Sequence, residues 1–433
     1  MMYNYAHEQR AVVFVIDMKS FYASVEAVAR GYNPLQVPLV VASQAANTGS
    51  GLILAASPMA KQKYHISNVS RVRDLPKHDD LVVVPPRMNF YIQKNIEVNA
   101  IFKKFVATED MHPYSIDETL LDLTKSWHLF GQSPREVARK IQLLVKERLG
   151  LYVTIGIGDN PTLAKLALDL LAKHHVSMIG EIHYEDVPDV LWPVTDLANV
   201  WSIGKKTALK LQALNIKSLY DLAHYNPYKF KSKFGVLGVQ WFLLSWGIDR
   251  AVISEASHPK EKSYGNSQVL PRDYTQRFEL HIVIREIAEQ VAARLRAHHV
   301  QTSQISLSIG FSRATVTGHG FTQQCRLPAT NSSKSLTQQL WQIFDTHWAG
   351  EPVRNISISY GQLSADTSQQ LDLFTPVTEQ LKPHQVDQTI DAIRQRFGFT
   401  AIVKASSLLN GGTAISRANL VGGHDGGRKP DER

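Results

Sequence analysis

Apolar and polar positions along the chain change period several times, and each change marks an element. Residues 11–17, Ala-Val-Val-Phe-Val-Ile-Asp, are apolar and β-branched until a carboxylate closes them, which predicts a buried strand. Residues 19–30 switch to a helical period, with Phe21, Val25 and Val28 on one side. A second strand is predicted over 114–123, where Ile116, Leu120, Leu121 and Leu123 surround Asp117 and Glu118. A third falls at 151–158, where Leu151, Val153, Ile155 and Ile157 alternate. Between these two, residues 134–149 read as a helix, with Ser133 as its N-cap and Gly150 just past its end. The order predicts an α+β layer with helices on one face of an antiparallel sheet.

Short apolar runs broken by glycine and proline interrupt this pattern from Pro34 to Pro86 and predict a small inserted unit. Residues 180–247 are helical in pattern, and 248–262, poor in apolar anchors, read as a linker. A second α+β unit follows. Strands are predicted at 263–270, 304–311, 321–327 and 354–360, and helices at 278–298 and 334–347, giving the succession β-α-β-β-α-β, a ferredoxin-like order. Glycine and charge dominate the last ten residues, 424–433, which predicts disorder there.

The length of 433 residues suits roughly three domains, and 44% hydrophobic with 20% charged residues suits soluble globular ones. The single cysteine, Cys325, excludes an intramolecular disulfide and a cysteine zinc site, which fits a reducing, cytoplasmic setting. The segment before the first strand is too short for a signal peptide, and no apolar stretch reaches the ~20 residues of a membrane span. The net charge of +8 suits a polyanionic partner.

Asp17 closes an apolar strand, and Asp117 and Glu118 interrupt another. Adjacent strand residues point to opposite faces unless a turn re-aims one. If the two strands are neighbours, the acids converge at one sheet edge, where a divalent cation is the natural neutraliser. Hard oxygen ligands select magnesium or manganese, and two such ions suit phosphoryl transfer. Taken by their spacing alone, the same residues can equally be a helix cap at Asp17 and a salt-bridged turn at Asp117–Glu118.

The flanking residues narrow this. Asp17-Met-Lys-Ser-Phe-Tyr-Ala-Ser-Val-Glu26 resembles the first motif of the Y-family translesion DNA polymerases, the DinB/UmuC group. Tyr114-Ser-Ile-Asp-Glu-Thr-Leu-Leu-Asp-Leu123 resembles the second, and Asn160-Pro-Thr-Leu-Ala-Lys-Leu-Ala167, after a strand ending Gly-Ile-Gly, resembles the third. The resemblance extends over roughly residues 11–375. It implies a multidomain right-hand polymerase, α+β, with a ferredoxin-like palm at 11–32 and 85–178, small fingers at 33–84, and a helical thumb with a helix-hairpin-helix at 179–247. A linker at 248–262, a little finger at 263–364 and a C-terminal tail at 365–433 complete it. The implied function is DNA-directed synthesis opposite damaged template bases, an error-prone, SOS-type damage tolerance.

The resemblance also implies roles for residues. Asp17, Asp117 and Glu118 would be catalytic and hold two Mg2+ ions, with Mn2+ able to substitute and the Met18 carbonyl as a further ligand. The amides of Phe21 and Tyr22 would cradle the triphosphate of a dNTP at a helix start, which the helix dipole favours. Tyr22 would be the steric gate that excludes a ribose 2′-hydroxyl; core packing is the other reading of both rings. Lys61 and Lys165 would meet the triphosphate. Pro58 stands where many members carry a phosphate-binding tyrosine, so Ser57 is the candidate to supply that contact, or else a plain helix cap. Ser202, Ile203 and Gly204 resemble the hairpin that binds the backbone of primer-template DNA, followed by Lys205 and Lys206, although serine replaces the usual first glycine. Gln370, Leu371, Asp372, Leu373 and Phe374 form an apolar island in a polar stretch and resemble the peptide that docks on the sliding clamp of replication. The region after Phe374 is more similar to UmuC-type than to DinB-type tails. A monomer without a membrane partner is expected. A two-metal nuclease and a catalytically inactive DNA-binding relative are the rival readings; the nuclease would need neither an aromatic gate nor triphosphate lysines, and the presence of all three acids argues against the inactive relative.

Overall fold

The computed structural model describes residues 3–43, 51–68, 70–255, 259, 261–312, 318–367, 374 and 376–427. Strand β1 (Val13–Met18) leads into helix α1 (Phe21–Ala29). Strands β2 (Leu39–Ala42) and β3 (Ile53–Ala56), helix α2 (Pro58–Tyr64) and strand β4 (Val82–Val84) form the inserted unit, a sheet of order β3-β2-β4. Helix α3 (Met88–Phe102), strands β5 (Met111–Pro113) and β6 (Glu118–Asp122), helix α4 (Pro134–Leu149), strand β7 (Val153–Gly158), helix α5 (Pro161–Leu170) and strand β8 (Ile179–Ile182) follow.

The first sheet has the order β5-β6-β1-β7-β8, with β1 at its centre. Two expectations change here. The sheet is mixed, because β8 runs parallel to β7, and its helices lie on both faces. Phe14 and Ile16 face a large core that includes Phe102 and Ile141, while Val13 and Val15 face Ala164 and Leu168 of α5. Glycine decides how close α5 comes. A Cβ on Gly156 would lie 2.1 Å from the Ala164 carbonyl oxygen, and one on Gly158 2.4 Å from the Ala164 nitrogen. Only bare backbone on β7 lets α5 pack this near.

The strand expected over 114–123 is shorter: only β6 lies within it, and residues 114–117 form the turn that joins it to β5. β5 and β6 pair antiparallel, and the amides of Tyr114 and Ser115 both donate to the Glu118 carbonyl across the turn between them. Helix α4 has the expected caps: Ser133 accepts from the Glu136 amide, and Gly150 closes the end at φ 67°.

Helices α6 (Lys205–Gln212), α7 (Leu219–Ala223) and α8 (Pro227–Ser245) share a core with α5 and β8. The segment before β1 is anchored to them: Tyr5 stacks on Tyr184 at 4.6 Å and donates to the Trp246 carbonyl. Strand β9 (Tyr264–Tyr274), helix α9 (Arg277–Ala297), strands β10 (Val300–Phe311) and β11 (Phe321–Thr330), helix α10 (Ser333–His347) and strand β12 (Val353–Ala365) make the second unit, with the expected succession. Its sheet is antiparallel, order β11-β10-β12-β9, over a separate core.

Helix α11 (Val377–Phe397) packs against this unit through Arg296, which pairs with Asp387 and Asp391. The chain then crosses β9 and α9, where the buried Glu286 carboxylate accepts from the Thr413 and Ala414 amides. It ends at the short strands β13 (Leu420–Val421) and β14 (His424–Asp425). There the Gly426 carbonyl accepts from the Asn89 amide at the start of α3, and Val421 packs on the first core. Residues 424–427, expected to be disordered, are therefore part of a segment that joins the two units; 428–433 lie outside the described residues.

Candidate active site

In the register of the first sheet Asp17 lies directly opposite Glu118. Directly opposed residues of an antiparallel pair share a face, so both carboxylates point toward α5. Asp117 reaches the same sheet end from the β5–β6 turn. The Ser115 hydroxyl donates to Asp117 Oδ1 at 2.7 Å and accepts from the Glu118 amide at 3.0 Å, which shapes the turn. The Met18 amide donates to the Asp117 carbonyl at 2.9 Å and fixes the turn against β1. The turn therefore does the re-aiming that a continuous strand could not.

Asp17 is not a helix cap. Ser20 holds the cap position of α1 in the left-handed region, at φ 47°, with no side-chain cap hydrogen bond. A non-glycine residue held there costs about 1 kcal/mol or more, and it turns the chain so that α1 begins at the wall of the cleft. This open cleft, about 1090 Å³, is lined by Asp17, Phe21, Tyr22, Lys61, Asp117 and Lys173, among others. Tyr22 is half-buried and stacks on Tyr91, with centroids 4.5 Å apart and planes at 16°. The Tyr91 hydroxyl donates to Glu26 at 2.8 Å. Glu26 is wholly buried; burial pushes its carboxyl up, but hydrogen bonds from Arg87, Arg30 and Tyr91 outweigh this and hold it below the usual range.

Two ammonium groups meet the acids. Lys165 Nζ lies 2.5 Å from Glu118 and 3.4 Å from Asp169. Lys173 Nζ lies 2.8 Å from Asp169 and 3.8 Å from Asp17. Burial nonetheless pushes the Asp17 carboxyl up to about 7; Lys173 opposes the rise, and Asp117 and Glu118 add to it. Lys61, on the opposite wall, has its pKa lowered by burial and then by the Lys19 ammonium. A buried carboxylate short of positive charge, with a second one beside it, is a donor set that fits a hard divalent cation. Among the described residues no three acidic, histidine or cysteine side chains come together closely enough to hold a metal ion, and lysines engage two of the three acids.

Ser57 does not reach the cleft. Its buried hydroxyl donates to the Val37 carbonyl at 2.6 Å and accepts from the Leu39 and Ala60 amides, so its side chain caps α2 and joins it to β2. The expectation that it supplies a triphosphate contact is corrected: Pro58 is the cleft-lining neighbour.

The hairpin stands apart from this cleft. Ser202 adopts φ 66°, the conformation that the usual glycine would hold without strain. Ile203 is buried, and Gly204 caps α6, which carries Lys205, Lys206 and Lys210. A Cβ on Gly204 would meet nothing within 4 Å, so the hairpin faces open space. Of the apolar island, Gln370, Leu371, Asp372 and Leu373 lie outside the described residues, and Phe374 is exposed.

The impB/mucB/samB family matches residues 16–169, its C-terminal domain matches 261–373, and its HHH motif, which includes the hairpin, matches 184–216. A Bacillus subtilis protein named for UV-damage repair, UvrX, is 37% identical over 98% of this chain and 100% of its own length. DNA polymerase IV 2 of the same organism is 35% identical over 95% of this chain and 98% of its own. A Y-family DNA polymerase chimera of known structure superposes with a TM-score of 0.66, covering 82% of this chain and 99% of that one at 20% identity, which shows the shared fold. The chain is a Y-family translesion DNA polymerase. These relatives do not confirm the UmuC-like leaning of the tail.

The sequence motifs that marked this family did not include Asp169, Lys173 or Tyr91, and Glu26, the last residue of the first motif, carried no assigned role. A signal for the first two was present in the spacing Lys165-x3-Asp169-x3-Lys173, one side of a helix at i, i+4 and i+8. Glu26 and Tyr91, 65 residues apart, meet only in three dimensions.

Folded protein holds the Asp17 proton more tightly than the unfolded chain does. This carboxyl therefore favours the fold below the ordinary carboxylate range, and its contribution is lost as pH rises through about 7. Metal-free polymerase is expected to lose stability between about pH 4 and about pH 7, and Asp17→Asn to flatten that loss, leaving the variant about 2 kcal/mol more stable at about pH 8. Thermal unfolding in a chelator across this range is the measurement. An unaltered pH slope in Asp17→Asn would show that the carboxyl is already neutralised.

Proposed function

We propose that Asp17, Asp117 and Glu118, with the Met18 carbonyl, hold two Mg2+ ions, for which Mn2+ can substitute, at the 3′ end of a DNA primer. The enzyme class, a DNA-directed DNA polymerase acting in translesion synthesis and DNA repair, comes with membership of the family. The observation that carries the site reading is the register of β1 and β6. It sets two carboxylates on one face and the third in the adjoining turn; Asp17 and Asp117 line a cleft together with Lys61 and Lys173, and Glu118 lies directly across from Asp17. When bound, the two ions would supply the charge that clamps attacking and leaving oxygens of a phosphoryl displacement.

The chain's own groups do the rest. The amides of Phe21 and Tyr22, in the first turn of α1, receive the triphosphate of a dNTP at a helix start. Lys61 and Lys165 add charge-assisted contacts to it. The Tyr22 ring, supported by Tyr91, closes the space beneath the sugar and excludes a 2′-hydroxyl. A nuclease would have no use for this gate. On this reading the first sheet is the palm (11–32 and 85–178), the inserted sheet the fingers (33–84), and the helical part the thumb (179–247). The linker spans 248–262, and the second sheet is the little finger (263–364). Ser202, Ile203, Gly204, Lys205 and Lys206 bind primer-template backbone without reading sequence. Residues 370–374, in the tail (365–433), dock on the replication sliding clamp. The enzyme works as a monomer in the cytoplasm.

Primer extension with Mg2+ and dNTPs tests the centre of this reading. Asp117→Ala and Glu118→Ala should each abolish incorporation, a loss of several kcal/mol of transition-state stabilisation, while DNA binding persists. More than a few per cent of the wild-type rate in either variant would count against the two-metal assignment. In the same assay Tyr22→Ala should raise the use of CTP relative to dCTP opposite template G; an unchanged ratio would make Tyr22 a packing residue only.

The hairpin is tested by salt. Replacing Lys205 and Lys206 with alanine should weaken binding to every DNA sequence alike and flatten the dependence of affinity on salt by about two phosphate contacts. A sequence-selective loss would contradict backbone binding.

For the clamp peptide, a leucine and a phenylalanine buried in a partner groove stabilise the complex by roughly 1.5–3 kcal/mol each before ordering costs. Changing Leu373 and Phe374 to alanine should weaken clamp binding by about two orders of magnitude and leave clamp-free synthesis normal. Unaltered clamp affinity, or loss of clamp-free synthesis, would overturn the docking role.

A further inference from the structure

Units joined through a single linker are free to turn about it, and in this chain a second connection removes that freedom. After α11 the chain grips the second unit and then the first. On the second unit Lys404 pairs with Glu289 at 2.9 Å, and the Tyr274 hydroxyl donates to the Gly411 carbonyl at 3.1 Å. The Thr413 and Ala414 amides then donate to the buried Glu286 carboxylate at 2.9 and 3.0 Å. Residues 415–420 leave no slack. The Arg417 amide bonds back to the Thr413 carbonyl, Ala418 to Ile415 and Leu420 to Arg417, so the chain crosses between the units through closed turns.

The far end is a hairpin. Strands β13 and β14 pair Val421 with His424 across Gly422 and Gly423, whose φ angles of 59° and 84° suit a tight two-residue turn. The Gly426 carbonyl accepts from the Asn89 amide at 3.0 Å, and Val421 packs on the first core. This landing place is itself fixed, because Arg87 holds the buried Glu26 through both Nε and Nη2. Close approach requires glycine here. A Cβ on Gly426 would lie 2.6 Å from the Asn419 carbonyl oxygen and 2.9 Å from Asn89 Nδ2.

The connection leaves the active cleft open, since no residue of 398–427 lines it. The hairpin instead borders a second cleft of about 670 Å³, between Leu52 and Arg71 of the inserted unit and Asn266 and Ser267 of β9, and no acidic side chain lines that one. We propose that residues 404–427 are a strap that fixes the second unit against the first before DNA arrives, so that the groove for primer-template is preformed. This rests on the reading of the second unit as the little finger that holds DNA. Binding then need not immobilise a freely turning unit, and the saving appears as affinity. Val421 and Gly426 are thus positioning residues.

Two variants release the strap from the first unit and keep its grip on the second: Gly426→Ala, whose methyl group has no room, and a chain ending after Ser416. The first readout is the distance distribution between spin labels on Lys103→Cys and Lys334→Cys, both exposed positions, in a Cys325→Ser background without DNA. It should be narrow in the full chain and broad in both variants. The second is primer-template affinity beside the single-turnover rate of nucleotide addition. Kd for DNA should rise about tenfold in both variants, while the rate at saturating DNA stays unchanged, which separates lost positioning from a damaged fold. Distances as narrow in the variants as in the full chain would overturn the strap. Tighter DNA binding by the variants would overturn it in favour of a latch that DNA must open, and a rate that falls along with affinity in favour of a fold-wide role. Broadened distances with unchanged DNA affinity would show that the second unit does not hold DNA, and the little-finger reading beneath the proposal would fall.

Discussion

A carboxylate buried at the end of β1 must be neutralised, and that requirement organises everything around it. Asp17 stands opposite Glu118, both on the face covered by α5, so two negative charges share a poorly hydrated space. α5 brings the compensating charge. Its Lys165 reaches Glu118, and the turn after it brings Lys173 toward Asp17. Neither could do so from farther away. The glycines of β7 let α5 descend onto the sheet, and a single methyl group at Gly156 or Gly158 would lift the helix and its lysines off the acids. Close packing and the electrostatics of the acid cluster are thus one constraint.

The other wall of the cleft is built on a second buried acid with the opposite outcome. Glu26 has all the partners it needs: Arg87, Arg30 and Tyr91 converge on it and keep it ionised inside the protein. It is a structural anchor, joining α1 to α3, whereas Asp17 is under-compensated and so open to a cation. The contrast in environment separates their roles, because both are single acids flanked by apolar residues in the sequence. Through Tyr91 the same anchor sets the plane on which Tyr22 rests. The strained turn at Ser20 adds the last element, placing the first turn of α1 at the cleft.

The hairpin and the second α+β unit have their own cores, and the segment after α11 links that unit to the first. Its anchors are backbone groups: the Thr413 and Ala414 amides on Glu286, and the Gly426 carbonyl under the Asn89 amide. Such contacts leave no periodic pattern of apolar side chains in the sequence.

Much of the chain was legible beforehand, for a local reason. The strand at β1, the helix capped by Ser133 and Gly150, and the β-α-β-β-α-β succession all follow from periodicity and caps, which each segment carries within itself. The three motifs named the family and picked out Asp17, Asp117, Glu118, Tyr22 and Lys165. Tertiary structure decided what depends on distance in space. It broke the second acidic strand into a turn, because only there can Asp117 join the sheet end that holds its two partners. It turned Ser57 inward, because its hydroxyl has three backbone partners of its own. It put helices on both sides of the sheet, and it brought Lys173 to Asp17, 156 positions earlier in the chain. Periodicity reports which residues are apolar, but the charge an acid feels depends on neighbours that only the folded chain brings within a few ångströms.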